Sequence, residues 1–129
     1  MALREVLDDY HATNRALGHI CVTLEGDGGA IGFAYYAPAS MTDRTWYLYW
    51  IAVAKGLHGK GHGSTLLGQA EAEIRARGGR LFLIETSSQP SYAPTRNFYI
   101  KHGYEVSATV RDFYADGDDL VIFAGRLAP

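Results

Sequence analysis

The sequence predicts a single α/β domain, a mixed and mainly antiparallel sheet flanked by helices, with elements in the order α-β-β-β-α-β-α-β-β. Three observations carry this prediction. Stretches with helical period alternate with β-branched and aromatic runs. A glycine-rich loop, His58-Gly59-Lys60-Gly61-His62-Gly63-Ser64, joins a strand-like run directly to a helical one. The chain has 129 residues and is 47% hydrophobic, enough for one core spanning residues 1–129 without an internal linker.

Leu3, Val6, Leu7, Tyr10 and Leu17 fall near one face of a helix, and Gly18 supplies its stop. Ile20–Leu24 and Ala30–Ala37 are β-rich, and the intervening Glu25-Gly26-Asp27-Gly28-Gly29 suits a hairpin. Pro38 ends the second strand. A third strand, Thr45–Val53, carries Trp46, Tyr47, Tyr49 and Trp50, enough aromatic surface to be central and buried on both faces. The helix from Ser64 to Arg77 turns Leu67, Ala70 and Ile74 inward, pairs Glu71 with Arg75 and Glu73 with Arg77 on its outer side, and stops at Gly78-Gly79. Leu81–Thr86 is a near-continuous apolar run, as a parallel partner covered on both faces would be. Pro94 suits the first turn of the next helix, which Lys101 and His102 close before Gly103. Tyr104, Val106, Ala108 and Val110 alternate as in a strand, Asp116–Asp119 is a turn, and Leu120–Leu127 is the antiparallel partner.

Composition excludes several classes of function. A net charge of −2 leaves no electrostatic footprint for nucleic acid or an acidic membrane surface, so a small substrate is expected. The lone cysteine, Cys21, has no partner for an intramolecular disulfide and reads as a small buried residue. No apolar run is long enough to span a bilayer and no secretory signal opens the chain, which makes cytoplasmic localisation the expectation. His58 and His62 stand four apart with no third ligand nearby, so no metal is expected. His11, His19 and His102 are assigned no role.

The loop reads as a phosphate cradle. Gly59, Gly61 and Gly63 let consecutive N–H groups approach a ligand with no β-carbon in the way, and the helix that follows aims its positive end at the same place. A nucleotide P-loop requires Gly-Lys-Ser/Thr at its end, but Gly63 is followed directly by Ser64. The dinucleotide fingerprint requires a third glycine where Leu66 stands.

The loop resembles the acyl-CoA pyrophosphate loop of the GNAT family of N-acetyltransferases, whose pattern is Gln/Arg-x-x-Gly-x-Gly/Ala between a strand and a helix. Gly61 and Gly63 match, and His58 stands where Gln or Arg is usual. Phe98-Tyr99-Ile100-Lys101-His102-Gly103-Tyr104 resembles the family's later helix, which ends in Tyr-x-x-x-Gly-Phe/Tyr. Together the motifs cover roughly residues 20–127. The resemblance implies the GNAT fold and transfer of an acetyl group from acetyl-CoA to a primary amine of a small molecule or peptide, by direct attack. It implies that backbone groups of Ile51 and Val53 hold the pantetheine arm and that the loop from His58 through Gly59, Lys60, Gly61, His62 and Gly63 to Ser64 holds the pyrophosphate. Lys60 either adds a charge there or is a solvated loop lysine. Tyr99 matches the usual general acid for the leaving thiolate, against a reading as a core aromatic. Tyr92 replaces an asparagine common in the family. Family members also begin with a strand and a helix that this sequence lacks; their loss leaves Ile20–Leu24 as a bare sheet edge, which predicts a homodimer through that strand. A start site placed too late would leave the same gap.

Beyond the resemblance, Glu85 ends its strand where open α/β sheets place their ligands, and is the candidate base unless it merely caps a loop. Tyr92, Phe113 and Tyr114, with one or two rings of Trp46–Trp50, are candidates to line an acceptor pocket, and Asp112 or Asp116 to attract a cationic amine. The competing reading is a non-catalytic acyl-CoA-binding or protein-interaction module on the same fold.

Overall fold

The computed structural model describes residues 18–127, so the helix expected over Leu3–Leu17 lies outside the described residues. In chain order the elements are β1 (Ile20–Gly26), β2 (Gly29–Pro38), β3 (Thr45–Val53), α1 (His62–Ala76), β4 (Leu81–Ser87), a 3-10 turn at Pro90–Tyr92, α2 (Ala93–Lys101), β5 (Glu105–Ala115) and β6 (Asp118–Arg126). They form one sheet in the order β1-β2-β3-β4-β6-β5. Among the described residues the one parallel pair is β3 with β4. From the first strand onward this is the predicted succession on a mixed, mainly antiparallel sheet.

Local chemistry sets the boundaries. Gly26 pairs with Gly29 across a two-residue turn of Asp27 and Gly28, so the first two strands run closer together than the expected five-residue loop. Pro38 closes β2 as expected, and Gly78, at φ +79°, stops α1 in the left-handed conformation that glycine adopts without strain. α1 buries Leu66, Leu67, Ala70 and Ile74 against the sheet. Each of the three larger side chains contributes about 1.5–3 kcal/mol by leaving water.

The main core lies on one face of the sheet, between Tyr36, Trp46, Leu48, Phe82, Ile84 and Phe123 of the strands and the buried sides of α1 and α2, Tyr99 included. A smaller cluster of Phe33 and Tyr35, with half-buried Cys21 against it, lies apart from that core.

Two expectations need correction. β3 is central, but only Thr45, Trp46 and Leu48 are buried; Tyr49 and Trp50 stay largely exposed because a bulge turns them out of the core. Glu71 and Arg75 form no ion pair: Glu71 accepts a hydrogen bond from Tyr104 Oη at 2.7 Å, and Arg75 Nε donates to the Leu127 carbonyl, whereas Arg77 and Glu73 do pair at 2.8 Å. The alternation from Tyr104 does mark a strand, β5, which is exposed along its whole length; Tyr104 itself precedes the strand and is buried.

Candidate active site

The centre of the sheet opens. β3 pairs with β4 only from Thr45–Leu81 to Leu48–Ile84, yet β3 continues to Val53 and β4 to Ser87. The cause lies in β3. Against β2, Leu48 pairs with Tyr36 and Trp50 with Tyr35, so Tyr49 is an extra residue, and a bulge of this kind bends its strand and increases the local twist. Beyond it β3 follows β2 and leaves β4 behind. The Ala54 N–H donates to the Ile31 carbonyl at 2.7 Å. Bonded pairs alternate along an antiparallel ladder, so Ala52 and Trp50 carry the bonds to β2, and the main-chain groups of Ile51 and Val53 face the gap.

The gap runs into the glycine loop. Gly59 and Gly61 have φ of 78° and 80°, and β-carbons at either would meet open space. Gly61 caps α1, no side chain caps the N–H groups of the helix start, and the first turn contains no acidic residue. Thr65 N is the first to reach back, to the Gly61 carbonyl at 3.0 Å, so the N–H groups of His62, Gly63 and Ser64 have no helical acceptor. Lys60 is exposed in the same loop. His58 does more than occupy the loop: its Nε2 donates to the Val53 carbonyl at 2.9 Å and ties the loop to the end of β3.

α2 packs beside this cradle. A β-carbon at Gly63 would touch the Phe98 ring at 3.5 Å, and His102 joins the two helices, its Nδ1 at 2.8 Å from the Phe98 carbonyl and its Nε2 at 2.9 Å from Ser64 Oγ. A carbonyl only accepts, so Nδ1 carries a proton. Sequence reasoning assigned His102 nothing; the sign was its place in a last turn that the glycine loop folds against. Tyr99, next to Phe98, is buried among Tyr104 and Phe123, and burial pushes its hydroxyl pKa up to about 12. That holds the proton more tightly than the ordinary phenol value.

On β4, Thr86 shares the core face with Phe82 and Ile84, just past the last pairing with β3. Its Oγ1 is buried without a hydrogen-bond partner among the described residues. Glu85 is exposed and, one residue away, opens on the opposite face. Candidate acid and base therefore stand on opposite sides of the sheet beside the gap. The β5–β6 hairpin is fastened to the end of β4: Ser87 Oγ donates to Asp118, and Ser88 Oγ accepts from the Asp119 N–H. Asp112 is used structurally, accepting from the Gly117 N–H and donating its own N–H to Asp119, which argues against its expected role as a free lure for an amine; Asp116 is exposed at the tip.

Two features fit an acyl-CoA: a turn of unpaired N–H groups with room for a pyrophosphate, and an open strand edge with an orphaned hydroxyl beside it. Among the described residues no group of three metal-ligating side chains occurs, and no helix is long and apolar enough to cross a membrane.

Known proteins share this architecture. A GNAT-family protein from Desulfovibrio desulfuricans superimposes with a TM-score of 0.92 at 38% identity, over 97% of this chain and 79% of that one. An aminoglycoside 6'-N-acetyltransferase solved with coenzyme A gives 0.80 at 18% identity, over 97% and 79% of the two chains. The ribosomal-protein-S18-alanine N-acetyltransferase of Escherichia coli gives 0.76 at 18% identity, over 100% and 92%. No protein of curated function matches the sequence. The family model described as the acetyltransferase (GNAT) domain matches residues 17–106, and with the splayed strands and the uncapped helix behind the glycine loop it places this chain in the GNAT family of acetyltransferases.

Proposed function

We propose that the protein is an acetyl-CoA-dependent N-acetyltransferase acting on a primary amine of a small molecule or peptide by direct attack. The observation that carries this reading is the gap between β3 and β4, which leads from an open strand edge straight to the uncapped start of α1. Acetyl-CoA supplies the acyl group as an activated thioester. The N–H groups of the loop from Gly59 to Ser64, with Lys60, hold the pyrophosphate. Main-chain groups of Ile51 and Val53 hold the pantetheine arm, and His58 keeps the loop on β3.

The opposite placement of Tyr99 and Glu85 suits in-line transfer. The amine enters from the Glu85 side, its nitrogen bonds to the acyl carbon as the carbon–sulfur bond breaks, and Glu85 takes the surplus ammonium proton directly or through a water. Tyr99 approaches the sulfur from the helix side. With its pKa raised to about 12, it serves the leaving thiolate as a hydrogen-bond donor better than as a source of a fully transferred proton. Homodimerisation through the Ile20–Leu24 segment belongs to the same reading; β1 is the last strand of the sheet among the described residues, and sedimentation at micromolar concentration tests it.

The decisive test is calorimetric titration of acetyl-CoA and of CoA, followed by release of free CoA thiol when amines are added. Micromolar binding that Gly61→Glu abolishes, with amine-dependent thiol release, bears the reading out. Binding without turnover on any amine would leave a binding module, and a folded chain that binds neither would overturn the reading.

A further inference from the structure

The bulge that opens the gap also sorts the side chains of β3. Trp46 and Leu48 belong to the main core, and Ile51 and Val53 return to it. The extra residue leaves Tyr49 and Trp50 together on the other face: Trp50 pairs with Tyr35, and Tyr49 meets Tyr35 edge-on at 6.1 Å and stacks on His19 at 5.8 Å. They are 50% and 44% exposed. Glu85 opens onto this same face from β4, across the gap.

A second bulge supplies another aromatic pair. β5 pairs Val110 with Leu120 and Ala115 with Asp118, so four of its residues, Arg111 to Tyr114, stand against Asp119 alone. Asp112, at φ +55°, and Asp119 hold the excursion with their carboxylates, and Phe113 and Tyr114 project from it as a 5.0 Å edge-to-face pair, 56% and 48% exposed. Tyr114 lies near Glu85: after burial, the charges of Glu85 and Asp118 raise its hydroxyl pKa. Two irregularities, on β3 and on β5, thus leave exposed rings on strands to either side of the one that carries Glu85.

Taking the acetyltransferase reading as given, we infer that the acceptor is an amine with a single ammonium on a flat apolar body, the ammonium at Glu85 and the body between Tyr49 and Trp50 on one side and Tyr114 on the other. Ring faces attract a cation and cover an apolar group at once. One ammonium is expected because Glu85 opens beside the rings, whereas Asp112, Asp118 and Asp119, although charged, turn their carboxylates into the hairpin and its link to β4, and Asp116 stands at the hairpin tip. A polyhydroxylated polyamine would set hydroxyls against rings that offer them few partners.

The test compares 2-phenylethylamine with spermidine and kanamycin, by thiol release at saturating acetyl-CoA and by calorimetry on the CoA-loaded chain. The arylalkylamine is expected to show the highest kcat/KM, and Trp50→Ala to raise its KM about tenfold with kcat and acetyl-CoA affinity nearly unchanged. Spermidine or kanamycin as the better substrate, an unmoved KM in Trp50→Ala, or no arylalkylamine binding to the CoA-loaded chain would each overturn the inference. Failure to bind acetyl-CoA at all would instead overturn the reading beneath it.

Discussion

His102 Nε2 lies 2.9 Å from Ser64 Oγ, a hydrogen bond between the end of α2 and the first turn of α1. It fastens the helix that carries Tyr99 to the loop proposed to hold pyrophosphate. With Nδ1 donating to the Phe98 carbonyl, Nε2 of a neutral ring accepts the Ser64 hydroxyl proton. A hydrogen bond of this kind contributes about 0.5–1.5 kcal/mol net. A double-mutant cycle of Ser64→Ala and His102→Ala, followed by urea denaturation, is expected to return a coupling of about 1 kcal/mol. His102→Ala should also weaken CoA binding about threefold to tenfold, because the first turn of α1 loses its brace. Additive stability losses with unchanged CoA affinity would show that the contact braces nothing.

Gly61 separates conformational strain from charge. At φ +80° an alanine is strained by about 1 kcal/mol, although its β-carbon would meet no neighbour. Gly61→Ala should lower stability by that amount and weaken CoA binding modestly. Gly61→Glu adds a carboxylate in front of the N–H groups offered to the pyrophosphate, and should weaken CoA binding well over tenfold at low salt, less so at high salt. Equal effects from both variants would place the pyrophosphate elsewhere.

How much of this was legible in the sequence follows from the range of each interaction. The loop, both described helices and the hairpins were readable because glycine, proline and helical period act within a few residues. The motif spacing marked Tyr99 as well. The bulge at Tyr49 was not readable: it is a mismatch of register between β2 and β3, and the aromatic run Trp46–Trp50 contains no local sign of which residue is surplus. For the same reason the composition of the run points to burial on both faces, which the bulge prevents. Helical spacing pairs Glu71 with its neighbour one turn away, but the fold brings Tyr104, 33 positions distant, within 2.7 Å. Thr86 and His102 are ordinary in sequence and become notable only once β3 has left β4 and α2 has met the glycine loop.

Tyr99→Phe removes the hydroxyl and keeps the ring. The expected result is a fall in kcat with little change in CoA affinity, read by thiol release and calorimetry. The same residue predicts alkaline behaviour. Burial raises its pKa from 10.0 to about 12, so the folded state holds the proton more tightly than the unfolded chain. That contribution, about 3 kcal/mol for a shift of this size, is fully present below pH 10 and is lost as pH rises towards 12. Tyr104 acts in the same direction through burial and its bond to Glu71. The wild-type chain should therefore lose stability steeply between pH 10 and 12, and Tyr99→Phe less steeply. Parallel curves for the two proteins would place the titration elsewhere.

Gly125 shows how the core packed around Tyr104 supports the site. A β-carbon there would lie 2.5 Å from Tyr104 Cε2, with two further ring atoms within 2.9 Å. The ring has little room to yield, because its hydroxyl is held by Glu71 and it packs edge-to-face with Phe82 at 6.3 Å and with Tyr99 at 6.1 Å. Gly125→Ala should therefore destabilise the fold by about 1–3 kcal/mol, the usual cost of overpacking a fixed core. It should also lower kcat through the displaced Tyr99 while leaving the glycine loop, and so CoA affinity, largely intact. Gly28→Ala, in a hairpin turn where a β-carbon meets nothing, serves as the comparison and should change stability by less than about 0.5 kcal/mol. If Gly125→Ala were as benign as Gly28→Ala, Tyr104 would be free to move, and the ring contacts from Gly125 to Tyr99 could not be what positions the tyrosine.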